Sequence, residues 1–96
     1  MDIASRRIRL ERERIRSDLL SRAPALERRL TETSSGSLVA SVPGGDAIEV
    51  GRLPVGGATS WVVVERRGSR IRVLPCRSAR QVVDTVLSGL RAVHAA

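Results

Sequence analysis

The chain has no lysine, asparagine, phenylalanine or tyrosine, and its only aromatic residue is Trp61. The four missing residues share A/T-rich codons, so their joint absence points to a high-GC bacterium or phage that uses arginine wherever a cation is needed. A single aromatic excludes a core of packed rings and the interleaved stacking platform of single-strand nucleic-acid binders. The core must come from Val, Leu, Ile and Ala in a chain of 96 residues. A domain of that length buries less than about 70% of its unfolded surface and stays marginal, so oligomerisation is expected. The lone Cys76 cannot form an intramolecular disulfide, and with the lone His94 it cannot complete a protein zinc site. The longest apolar run free of glycine is four residues, Trp61 to Val64, too short for a membrane span or a signal peptide. These absences predict a soluble cytoplasmic protein, not an enzyme, with no cofactor and no metal.

Charge is the most abundant signal present. Seventeen arginines stand against ten carboxylates, giving a net charge of +7 and a pI near 11.6. Such a balance favours polyanionic or acidic partners. The excess is uneven: residues 1–33 hold nine arginines and six acids, whereas residues 61–96 hold seven and two. In the first segment Glu11 precedes Arg14 by three residues and Glu13 precedes Arg16 by three, spacings that neutralise charge along a helix.

Residues 1–33 read as an amphipathic helical segment. Ile8, Ile15, Leu19, Leu26 and Leu30 recur at steps of seven, four, seven and four, one apolar stripe at a period near 3.6. Asp2 or Ser5 can cap its start, and Pro24 predicts a kink or break, opening a second short helix. Thr31 to Ser37 is a polar exit. Residues 34–96 then read as a small β-meander closed by a helix, forming one domain with the first segment. Strands are expected over Ser37–Val42 and Ala47–Leu53, separated by the turn Pro43-Gly44-Gly45-Asp46. Pro54 to Ala58 reads as a loop whose Gly56-Gly57 pair lacks the spacing of a phosphate-binding loop. Next comes a hairpin, Ser60–Arg67 and Arg70–Pro75, turning at Arg67-Gly68-Ser69, where a loop at Gly68-Ser69 suits type II′ and one at Arg67-Gly68 suits type I′ less well. Alternation puts Val62, Val64, Ile71 and Val73 on one face, expected to be the core, and Trp61, Val63, Glu65, Arg70, Arg72 and Leu74 on the other. Ser78-Ala79-Arg80-Gln81 matches a capping box, followed by the stripe Ala79, Val83, Val86, Leu90, Val93. The expected fold is α+β: an N-terminal helix, an antiparallel sheet of three or four strands and a C-terminal helix.

Two surfaces follow as functional candidates. Arg66, Arg67, Arg70, Arg72, Arg77 and Arg80 fall within fifteen residues around the hairpin and the entrance of the last helix. Arginine grips phosphate bidentately, helix starts attract anions, and a basic ribbon can track a nucleic-acid backbone. The competing reading is a charged sheet edge that resists aggregation or meets another protein. The second surface is the N-terminal stripe. A helix over residues 3–22 is about 30 Å long, beyond the span of short strands, so some of the stripe Ile8, Ile15, Leu19 and Leu26 is expected to reach a second copy or another protein; the competing reading is a helix that breaks at Pro24 and folds back to cover the sheet. Cys76, Asp84 and His94 do not assemble a nucleophilic site, because His94 lies roughly 24 Å along the helix from Ser78.

The order helix, strands, helix is similar to that of double-stranded-RNA-binding domains and of several small nucleoid-associated dimers. That resemblance implies nucleic-acid contact near the start of the second helix, where Arg77-Ser78-Ala79-Arg80 stands; the aromatic core positions of the RNA-binding family are missing here. The expected function is a small non-enzymatic binding protein that contacts nucleic-acid backbone through the arginine-rich hairpin as a dimer. The alternative is an assembly or adaptor subunit of a phage, secretion or regulatory complex, docking through its N-terminal helix.

Overall fold

A computed structural model describes residues 3–42, 44–56 and 58–95. Asp2, Pro43 and Gly57 lie outside the described residues, as do the side chains of Ser5, Val93 and His94. Helix α1 runs over Ile3–Arg22 and a 3-10 turn over Pro24–Arg28. Strands β1 (Leu30–Glu32), β2 (Leu38–Ser41), β3 (Ala47–Val55), β4 (Ala58–Arg67) and β5 (Arg70–Cys76) follow, and helix α2 (Ala79–Ala95) closes the chain. The α+β architecture expected from the sequence is present, with five strands rather than three or four. They form one antiparallel meander in the order β1-β2-β3-β4-β5, so each strand pairs only with its neighbours in sequence.

Local chemistry sets the boundaries. Pro24 ends α1 and occupies the first turn of the 3-10 segment, where its missing N–H costs nothing. The β4–β5 hairpin pairs Arg67 with Arg70 across a two-residue turn. Gly68 has φ +60° while among the described residues no non-glycine has positive φ, the pattern of a type II′ turn. The Gly68 N–H donates to the Asp46 carboxylate at 3.0 Å, tying this turn to the one between β2 and β3. At the start of α2 the Gln81 N–H donates to Ser78 Oγ at 3.1 Å, and the Gln81 side-chain oxygen accepts from the Arg77 N–H at 2.7 Å. The added strand is β1. Leu30, read as the end of a helical stripe, instead pairs with Ala40 at the edge of the sheet.

Both helices lie on one face of the sheet, and that face is not the expected one. Trp61, Val63 and Cys76 point into the core beside Leu38, Ala40, Ile48 and Val50, where Ile15 and Leu19 of α1 and Val82, Val83 and Val86 of α2 cover them. Ile71 and Val73, assigned from the sequence to the core, are 60% and 50% exposed on the opposite face, where Val64 is half-buried and Val62 buried. The charges at the hairpin end explain the reversal. Glu65 sits buried under α2, where the Arg67 guanidinium donates to it at 3.1 Å and to the Gly89 carbonyl at 3.2 Å, so a face carrying charge can still be the inner one.

Gly89 makes that approach possible. A Cβ there meets Ile48 Cδ1 at 3.0 Å and the Glu65 carboxylate at 3.5 Å, so the low helix propensity of glycine is offset by close contact between α2 and the sheet. Gly89→Val is expected to destabilise the fold by about 1–3 kcal/mol through overpacking, read as a lower urea midpoint. An unchanged midpoint contradicts this account of the helix–sheet contact.

Candidate anion-binding surface

The arginines divide into two groups by their partners. Arg12 pairs with Glu32 at 3.1 Å, Arg22 with Asp84 at 3.0 Å, Arg52 with Glu11 at 3.8 Å, Arg66 with Glu49 at 3.9 Å and Arg67 with Glu65 at 3.1 Å. Most of these pairs join separate elements and act as ties within the fold. Glu11, expected to offset Arg14 along the helix, turns instead to the sheet. It accepts the Trp61 indole N–H at 2.6 Å and faces Arg52, whose guanidinium stacks 4.9 Å from the Trp61 ring centroid. Arg12 reaches across to the Gly36 carbonyl at 3.2 Å and so pins the β1–β2 loop to α1.

Of the six arginines singled out in the sequence, Arg66 lies on the open face of the sheet and Arg67 is held by Glu65. Arg70, Arg72, Arg77 and Arg80 are exposed, and among the described residues none of them has a carboxylate within ion-pair distance. Arg70 and Arg72 stand on the edge strand β5 near the hairpin turn. Arg77 and Arg80 stand at its other end, where the chain enters α2. At about 3.3 Å per residue some 23 Å separates Arg70 from Arg77. These four therefore form a row along one edge of the sheet, not a compact patch, and Arg66 and Arg67 on the interior strand β4 stand apart from it.

The far end of the row opens on a recess of about 740 Å³, lined in part by Arg7, Arg52, Arg77, Ser60, Ser78 and Gln81. Arg7 and Arg52 are basic neighbours that sequence spacing did not associate with Arg77. Only the packing of α1 across the sheet brings residues so distant in sequence together. Glu11 also lines the recess, so its positive charge is partly offset.

The partner stripe is corrected. Ile15 and Leu19 are fully buried and Leu26 nearly so, all in the chain's own core, with Ile8 packed against it. The length argument failed because α1 packs against α2 as well as over the strands. Among the described residues the large apolar side chains that α1 leaves exposed are Ile3 and Leu10, seven apart on its outer side.

Cys76 is buried beneath α2, with Thr85 Oγ1 3.8 Å from its sulfur. Burial pushes its thiol pKa up, with the Thr85 contact opposing the shift, so the thiol form is favoured and the group is a poor nucleophile. Among the described residues no cluster of His, Cys, Asp or Glu can hold a metal, and no helix is long and apolar enough to cross a membrane. No protein-family model, curated protein or solved structure matches the chain.

Removing the Glu11 acceptor leaves the indole N–H of the nearly buried Trp61 without its partner. Glu11→Ala is expected to cost about 1–2 kcal/mol of stability, reduced from the full value of a charge-assisted bond by the partial exposure of the carboxylate. Urea unfolding followed by Trp61 fluorescence checks it; a loss below a few tenths of a kcal/mol contradicts the role.

Proposed function

We propose that this chain is a small non-enzymatic binding protein that contacts the phosphate backbone of nucleic acid through the row of arginines along β5 and the entrance of α2. The observation that carries the reading is the division of the arginines: the pairs at Arg12, Arg22, Arg52, Arg66 and Arg67 serve the fold, while Arg70, Arg72, Arg77 and Arg80 share one edge with no carboxylate in ion-pair distance among the described residues. Unneutralised guanidiniums on a rigid edge release condensed counterions when they meet phosphates, which gives sequence-independent affinity. With one aromatic residue, already stacked against Arg52, base stacking contributes little, and backbone contact is the mode. The recess beside Arg77 extends the basic surface toward Arg7.

A second reading is supported by Ile3 and Leu10, which are 83% and 64% exposed on α1. Two large apolar side chains on the outer side of a helix suit docking on another protein, as in an assembly or adaptor subunit.

Fluorescence anisotropy with labelled duplex DNA and duplex RNA across a salt series separates the two. Replacing Arg70, Arg72, Arg77 and Arg80 together by Gln is expected to weaken binding to either duplex and to reduce the slope of log K against log salt by about 3–4, at roughly 0.9 per lost phosphate contact on DNA. Unchanged affinity and slope sink the nucleic-acid reading. Leu10→Asp is expected to leave both unaltered while removing any protein partner.

A further inference from the structure

Both helices pack on one side of the sheet, and on the other face Val62 is buried, but the part around β5 stays open and carries residues whose alternation marks a core. Ile71 is 60% exposed, Val73 50% and Leu53 45%, with Val64 half-buried among them. The cross-strand pairs Val64 with Val73 and Arg66 with Ile71 place three of these apolar side chains next to one another on β4 and β5. Beside them stand Glu49 and Arg66, of opposite charge, 3.9 Å apart and 32% and 57% exposed.

We infer that this open face binds a second copy of the same chain, sheet against sheet about a two-fold axis. Charge complementarity selects that occupant. A face carrying one acid and one base side by side is complementary to itself: an axis in the plane between the sheets, midway between Glu49 and Arg66, sets each opposite its counterpart on the partner. An acidic or a basic partner protein repels one of the two. Closing this face removes the exposed Ile71, Val73 and Leu53 from water. The contact does not depend on nucleic acid, and the β5 edge stays at the rim.

Sedimentation velocity and light scattering on the full chain, in nucleic-acid-free buffer, test it. The expected mass is twice that of the 10.4 kDa chain. Ile71→Lys with Val73→Lys is expected to give a monomer with an unchanged far-UV CD spectrum. Arg66→Glu and Glu49→Arg, each alone, place like charges across the axis and are expected to raise the dimer Kd about tenfold or more. Mixing these two variants restores complementarity at both contacts and is expected to give a heterodimer tighter than either homodimer. A wild-type chain that stays monomeric throughout the micromolar range overturns the proposal, as does one that associates only with another protein. So does a dimer insensitive to the Ile71 and Val73 changes, or a mixture no tighter than its components. Should the lysine variant lose its CD signal, the charge variants, both at exposed or half-exposed positions, decide alone.

Discussion

The hydrogen bond from the Trp61 indole to Glu11 holds the first helix to the centre of the sheet, and much of the molecule is arranged around it. A core of aliphatic side chains fills space without fixing orientation, because such contacts are non-directional. Trp61 supplies the one large surface with a directional handle, and the chain uses both: the ring stacks with Arg52 while its N–H takes a carboxylate from α1. Ile15, Leu19 and Arg12 then fall where they meet α2, the strands and the β1–β2 loop. Seating α1 in this way also creates the recess beside Arg77, so the same contact shapes both the fold and the basic surface.

An all-arginine cation set suits this double use. The guanidinium carries several donors in a plane, and Arg67 uses one nitrogen for both the Glu65 carboxylate and the Gly89 carbonyl, closing the hairpin onto the helix. Charge on the inner face is tolerated because it is paired and because Gly89 leaves room for it. On the outer edge the same side chain has no carboxylate partner among the described residues. Position relative to the carboxylates, more than composition, therefore separates a structural arginine from one available to a ligand.

Much of the fold is legible in the sequence because its signals are local. Pro24 stops a helix within its own turn, Gly68-Ser69 carries the geometry of its hairpin, and Ser78 with Gln81 caps a helix without help from elsewhere. Three features are not legible, each for a reason of range. Strand β1 is three residues long, too short to show a period, and Leu30 continues the helical stripe by coincidence of spacing. The inner face of β4 and β5 depends on the Glu65–Arg67 pair beneath Gly89, which no pattern within the hairpin reveals. The candidate site shows the same limit: the cluster of six arginines is visible in the sequence, but Arg66 and Arg67 are claimed by acids, and Arg7 and Arg52 join Arg77 through tertiary packing alone.

The strand order carries a consequence for how the chain reaches this state. Every strand pairs with its neighbour along the chain, so the meander closes through short loops, and low contact order favours rapid assembly. The contacts of α1 are of another kind: Glu11 to Trp61 spans 50 residues and Arg22 to Asp84 spans 62. Their loop-closure entropy is recovered only after sheet and α2 exist. Helix α1 is therefore expected to dock last and open first, an ordering that amide exchange reads directly and that slower exchange in α1 than in β4 contradicts. The element that shapes the recess beside Arg77 is then also the one most readily released, so the basic surface at that end exists only for as long as the N-terminal helix stays down.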